Sequence, residues 1–145
     1  PMRPVATAEA RILQIREAKA GEPVSYGGTC RLKRDSRLAI VSAGYADGYL
    51  RSLSGSGVPV RQTGIPGAHG FVAGHRVPVA GRVTMDLTIF DVTDVPPNAI
   101  SAGDYIELFG ANMPIDDVAR AAGTIGYELL TGLGLRYERH YIDAL

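Results

Sequence analysis

The run Arg37-Leu38-Ala39-Ile40-Val41-Ser42-Ala43, followed at once by Gly44-Tyr45-Ala46-Asp47-Gly48-Tyr49, decides the reading of this chain. Its first seven residues are largely apolar with a β-branched centre, the composition of a buried strand. Gly44 ends the run, and Asp47-Gly48 is a turn signal, because Asp tolerates and Gly favours positive φ. A strand that stops in a glycine-flanked tyrosine presents the phenol at the rim of its sheet, where functional side chains are usually held on loops. Two readings follow. In one, the segment is a hairpin whose tyrosines, Tyr45 and Tyr49, cover the end of a barrel. In the other, a tyrosine beyond what the turn needs is a chemical group placed at the rim.

On the N-terminal side, Ala6 to Ile15 alternates apolar and charged residues and predicts a long, half-exposed strand. Glu22-Pro23 turns the chain into Val24-Ser25-Tyr26-Gly27-Gly28-Thr29, a short strand with a bulge or close backbone approach at its glycine pair. On the C-terminal side, Ser54 to Gly67 is rich in turn residues. Short strands follow at Phe71-Val72, Arg76 to Val79 and Val83 to Val92, with Pro78 restricting its segment to an edge or a bulge. Asp104 to Phe109 alternates again. Short strands at near-regular spacing, joined by Gly/Pro turns, predict a mainly β fold, a closed antiparallel, Greek-key-like β-barrel.

Two short helices are expected near the C-terminus, at 115–122 and 125–133. Asp116 and Asp117 favour the first turn of one, and Gly123 stops it. Thr124 reads as the N-cap of the other, with Tyr127 in its first turn and Gly132 and Gly134 at its end. A helix start of this kind offers free N–H groups to an anion, and a tyrosine hydroxyl adds a donor; the plainer reading packs Tyr127 against the barrel. Leu135 to Ile142 alternates and predicts a final strand.

Composition narrows the class. The chain has 145 residues, 46% of them hydrophobic, enough for one domain with a core. Its 15 basic and 15 acidic side chains balance, which argues against nucleic acid or an anionic membrane surface as partner. The lone Cys30 suits a reducing compartment and points to the cytoplasm. No apolar stretch reaches membrane-span length. The opening at Pro1, with patterned sequence almost immediately after it, reads as a piece of a longer polypeptide. His69, His75 and His140 lack paired ligand spacing, so no metal site is expected. Ser25, Ser42 and Cys30 lack a nearby base. Asp86, beside Met85 in a β-branched run, needs a partner, and Arg82 is the local candidate.

Taken in order, Val24-Ser25-Tyr26-Gly27, the Gly44 to Tyr49 segment, Gly81-Arg82-Val83-Thr84-Met85-Asp86, Asp116-Asp117-Val118-Ala119 and Gly123-Thr124-Ile125-Gly126-Tyr127-Glu128 resemble the C-terminal domain of alanine racemase. The resemblance covers essentially the whole chain. Between Arg51 and Gly74 no residue matches the family's second gate tyrosine.

The resemblance implies a cytoplasmic, homodimeric isomerase that uses pyridoxal 5′-phosphate to interconvert L- and D-alanine, a step of D-alanine supply for peptidoglycan precursors. It implies that the lysine holding the cofactor lies in an N-terminal TIM-like barrel absent from this chain. Tyr45 matches the catalytic tyrosine, Met85 the position whose backbone N–H meets the substrate carboxylate, and Tyr127 the hydroxyl that bonds the cofactor phosphate. In the family, Tyr45 and Met85 reach across a head-to-tail dimer to the partner's cofactor. Racemisation moves a proton between opposite faces of Cα, so it needs two bases. A phenol ordinarily titrates near about 10 and needs neighbouring positive charge to act as a base near neutrality. Arg51 is the cation the sequence places closest, and the family draws most of that help from the missing domain. The fragment alone is therefore expected to be inactive.

Two other readings compete. Related amino-acid decarboxylases share this barrel type but carry a Cys-Asp pair that Cys30-Arg31-Leu32-Lys33 does not provide. A free-standing, non-catalytic β-barrel binding module would leave the rim tyrosines unused.

Overall fold

The computed structural model describes residues 3–28, 30–56, 58 and 67–142. Eight strands and two helices follow in chain order: β1 (Ala8–Ala18), β2 (Pro23–Val24), β3 (Cys30–Arg31), β4 (Ser36–Val41), β5 (His69–Val72), β6 (His75–Pro78), β7 (Thr88–Asp91), β8 (Tyr105–Phe109), α1 (Ile115–Ala122) and α2 (Gly126–Thr131).

β1 is the spine. Its alternation puts Ala8, Ala10 and Ile12 inside, and it pairs antiparallel with both β4 and β8. A bulge interrupts each pairing, between Ile12 and Gln14 on one side and between Ala8 and Glu9 on the other. Bulges increase local twist, which a small sheet needs in order to curl. The six-stranded order is β6-β5-β8-β1-β4-β7, and the two edges meet where Val79 bridges Phe90 and the Ala80 N–H donates to Ile89 O at 2.8 Å. The barrel is thus nearly closed, as the strand spacing predicts. Pro78 ends β6, where its missing donor breaks no ladder bond. Ile12, Val41, Leu53, Phe90, Val92, Ile106 and Leu108 fill the interior. A smaller cluster of Ala18, Val24, Leu32, Leu38 and Ala80 lies under the β2–β3 ribbon.

Several sequence expectations need correction. The Asp47-Gly48 signal does not make a hairpin. Residues Tyr45–Asp47 form a 3-10 turn that Gly48 ends at φ 88°. The second strand is only Pro23–Val24, because Ser25 (φ 66°), Gly27 and Gly28 all take positive φ in the turn that follows; Thr29 lies outside the described residues. The strand expected over Val83 to Val92 is confined to β7. Thr84 and Leu87 exchange backbone and hydroxyl bonds of 3.0 to 3.2 Å, which folds residues 84–87 into a turn.

α1 has the expected bounds, but Thr124 does not cap α2. Its N–H donates to Ala119 O at 2.9 Å and so closes the C-terminus of α1, while Ile125 stands at the start of α2. Leu135 to Ile142 forms no strand. The two outer strands, β6 and β7, are already bridged through Val79 and Phe90, so the tail finds no free sheet edge.

Candidate active site

β4 delivers the chain to the rim at Ala43, whose carbonyl accepts the buried Thr88 hydroxyl at 2.7 Å. Gly44 then passes close to another loop. A Cβ there would lie 2.2 Å from Thr84 O and 2.4 Å from Met85 O, so only glycine fits. This approach lets the Tyr45 N–H donate to Thr84 O and the Ala46 N–H to Met85 O, each at 3.0 Å. Tyr45 and Met85 are therefore brought together by backbone bonds rather than by side-chain contact. Tyr45 is 44% exposed and Met85 53%. Among the described residues the Met85 N–H donates to no partner.

Tyr49, four residues on, does the covering job. It is buried against Phe90, with ring centroids 6.5 Å apart, and burial pushes its hydroxyl far above the ordinary phenol range. The hairpin with two covering tyrosines is therefore corrected: the turn is a 3-10 turn, Tyr49 alone is buried, and Tyr45 stands exposed at the rim. Tyr127, the second residue of α2, is 76% exposed rather than packed on the barrel. It sits at the end of α2 opposite Gly132, whose carbonyl packs under Gly48; a Cβ on Gly48 would lie 2.2 Å from Gly132 O.

Arg82 does not serve Asp86, whose partner is Arg136, and Arg51 makes no ion pair among the described residues. Arg136 donates from Nε to Asp47 Oδ1 at 2.7 Å, from Nη2 to Asp47 Oδ2 at 2.8 Å, and from Nη1 to Asp86 Oδ1 at 2.7 Å. Asp47 is buried, and its Oδ2 also accepts the Gly44 N–H at 3.0 Å. The Arg136 guanidinium holds the Asp47 carboxyl below its ordinary range, against the opposing effect of burial. Tyr137, behind Asp47, is pushed up to about 12, chiefly by burial and then by the Asp47 charge. Sequence reading missed Arg136, and no local signal was available: it is 89 positions from Asp47.

The two lysines do not suit covalent cofactor chemistry. Lys19 Nζ lies 3.1 Å from Asp35 on the surface, and the bond to Asp35 raises its pKa, the wrong direction for a nucleophilic amine; Lys33 is exposed. Among the described residues no group of three or more His, Cys, Asp or Glu gathers, and no helix is long and apolar enough to cross a membrane. The segment from Arg51 to Gly74, where no residue matches the family's second gate tyrosine, lies partly outside the described residues.

Comparison with known proteins accounts for this layout. A family model described as the alanine racemase C-terminal domain matches residues 5–141. The chain belongs to that family. It is 76% identical over 144 residues to a biosynthetic alanine racemase of Agrobacterium fabrum, covering 99% of this chain and 37% of that protein. An alanine racemase of Rhizobium meliloti is 62% identical, with 98% and 38% covered. A crystal structure of the Bartonella henselae alanine racemase with covalently bound pyridoxal phosphate superposes with a TM-score of 0.81 at 39% identity, covering 94% of this chain and 34% of that one. The chain therefore spans little more than a third of the curated relatives it matches, and it corresponds to their C-terminal β-barrel. Neither the decarboxylase reading nor the binding-module reading has support among these relatives.

Proposed function

We propose that this chain is the β-barrel part of a pyridoxal-phosphate-dependent racemase that interconverts L- and D-alanine. In this reading, an N-terminal barrel absent from the chain carries the cofactor lysine, and a head-to-tail homodimer assembles the site. The observation that carries the reading is the pairing of an exposed phenol, Tyr45, with an open amide, Met85 N–H, fixed by two backbone hydrogen bonds.

A carboxylate received by the Met85 N–H places an amino acid beside the Tyr45 turn, and the phenol oxygen then takes or returns a proton on one face of Cα. The second base, on the other face, is the lysine of the absent domain. Pyridoxal phosphate, when bound, supplies the electron sink for the charge left on carbon. The residues present fit the periphery of such a cofactor: Tyr127 offers an exposed hydroxyl for its phosphate, while neither lysine offers a covalent anchor. The half-buried lone thiol of Cys30 supports a reducing, cytoplasmic setting.

This division of labour is tested on the fragment. One hydroxyl is too little to overcome the entropy of immobilising a cofactor. Pyridoxal phosphate added to the 145-residue chain should produce no stable imine absorbance and no racemisation. Supplying the N-terminal domain, fused or in trans, should produce both. Cofactor trapped by borohydride on Lys19 or Lys33 with turnover would overturn the reading.

A further inference from the structure

We propose that Arg136 is a positioning residue for racemisation: its guanidinium sets the separation between the phenol of Tyr45 and the N–H of Met85 by joining the carboxylates of Asp47 and Asp86. The inference rests on the proposed roles of Tyr45 and Met85 and deepens them.

Three loops converge on this one side chain. Asp47 closes the 3-10 turn that begins at Tyr45, and its Oδ2 accepts the Gly44 N–H, so the carboxylate holds the turn from within. Asp86 follows Met85 directly. Arg136 belongs to the tail beyond α2, which is itself tied to the turn where the Gly134 N–H donates to Asp47 O at 3.3 Å. Arg136 grips Asp47 with a two-pronged fork and reaches Asp86 with its third nitrogen.

The charge pattern explains why a guanidinium is needed here. Asp47 has a side chain only 6% exposed, whereas that of Asp86 is 57% exposed. Both bring an oxygen within 2.7 Å of the same cation. Without the cation, two carboxylates on adjacent loops would face each other, one of them buried, and like charges in that setting repel strongly. The backbone bonds from Tyr45 and Ala46 hold the loops at their bases. The guanidinium holds the carboxylates that flank the two functional groups. A lysine cannot replace it, because an ammonium is a point donor and cannot form a planar fork on Asp47 while reaching Asp86. The side chain of Arg136 is itself 53% exposed, so it contributes little to the core.

The test uses the full-length enzyme loaded with pyridoxal phosphate and compares Arg136→Lys, Arg136→Ala and Asp86→Asn with Tyr45→Phe. Misplacing reacting groups by about an ångström lowers rates by up to about a hundredfold. Arg136→Lys should therefore lose about ten- to a hundredfold in kcat/KM, with cofactor absorbance unchanged and a melting temperature near that of the parent. Because the two enantiomers have equal free energies, kcat/KM must fall equally in both directions. The asymmetry appears instead in the α-deuterium isotope effect. It should rise for the enantiomer whose proton Tyr45 handles, as identified by Tyr45→Phe, and stay unchanged for the other. Asp86→Asn should chiefly raise KM, since it frees the Met85 side of the clamp.

Free guanidinium ion should restore part of the activity of Arg136→Ala in a saturable way, because the site is half open to solvent. Arg136→Lys with full kcat/KM, or losses tracking a lowered melting temperature with no change in either isotope effect, would reduce Arg136 to a structural brace. If Tyr45→Phe itself barely slows turnover, the parent reading fails. A crippled Tyr45→Phe beside an unaffected Arg136→Lys overturns the Arg136 assignment alone.

Discussion

Phe90, Val92, Ile106 and Leu108 lie wholly buried in the barrel wall, whereas Tyr45, on the loop after β4, and Met85 and Asp86, on the loop before β7, stand about half exposed. The wall is held by apolar packing and strand ladders. The rim is held by a buried carboxylate, an arginine and glycines that allow backbone to touch backbone. Tyr49 and Tyr45 mark the boundary within one turn of chain. The contrast shows which damage each region should suffer: substitutions in the wall should cost stability, and substitutions at the rim should cost activity.

Phe90→Ala should break the wall most severely. It removes a fully buried ring from the centre of the core, and the expected loss is about 3–5 kcal/mol, read by denaturant unfolding. Gly44→Ala tests the seam between the regions. Its methyl would press on two backbone carbonyls that cannot yield like a side chain, so about 1–3 kcal/mol should be lost together with the Tyr45–Thr84 bond. A stability loss below about 0.5 kcal/mol would mean that the two loops slide freely.

The acid limb sharpens the comparison further. The folded pKa of Asp47 lies below its unfolded value, so its contribution is present above the ordinary carboxylate range and is lost as pH falls through it. Stability should fall below about pH 4 less steeply in Asp47→Asn than in the parent. Equal slopes would remove Asp47 from the clamp. The smallest effect is expected at Tyr49, whose hydroxyl has no partner among the described residues. Tyr49→Phe should be neutral or stabilising by up to about 1 kcal/mol, because it removes a buried polar group that bonds nothing.

The wall was legible in the sequence because its determinants are local. The alternation of β1 and the pairing of Asp116 and Asp117 with Gly123 each fix an element within a few residues. Thr124 misled because a threonine ahead of an apolar run reads as an N-cap, and only its bond to Ala119 shows that the chain is still closing α1 there. Val83 to Leu87 misled because the Thr84 hydroxyl offers the backbone an alternative to the ladder. Tyr45, Met85 and Tyr127 were found through family resemblance, and the structure joins the first two through bonds that no spacing announces. Arg136 was illegible in principle. A charged residue in an alternating tail reads as a solvated strand face, and its two partners lie 89 and 50 positions away.

Solvent-deuterium exchange of the α-hydrogen, followed separately from L- and D-alanine in full-length Tyr45→Phe loaded with cofactor, tests the assignment of Tyr45 most directly. The ring is kept and only the titratable hydroxyl is lost. Racemisation should fall by about a hundredfold or more, the scale that acid–base catalysis supplies, while exchange from one enantiomer persists and exchange from the other collapses. Small and equal losses for both enantiomers would make Tyr45 a packing residue like Tyr49 and contradict its role as a base.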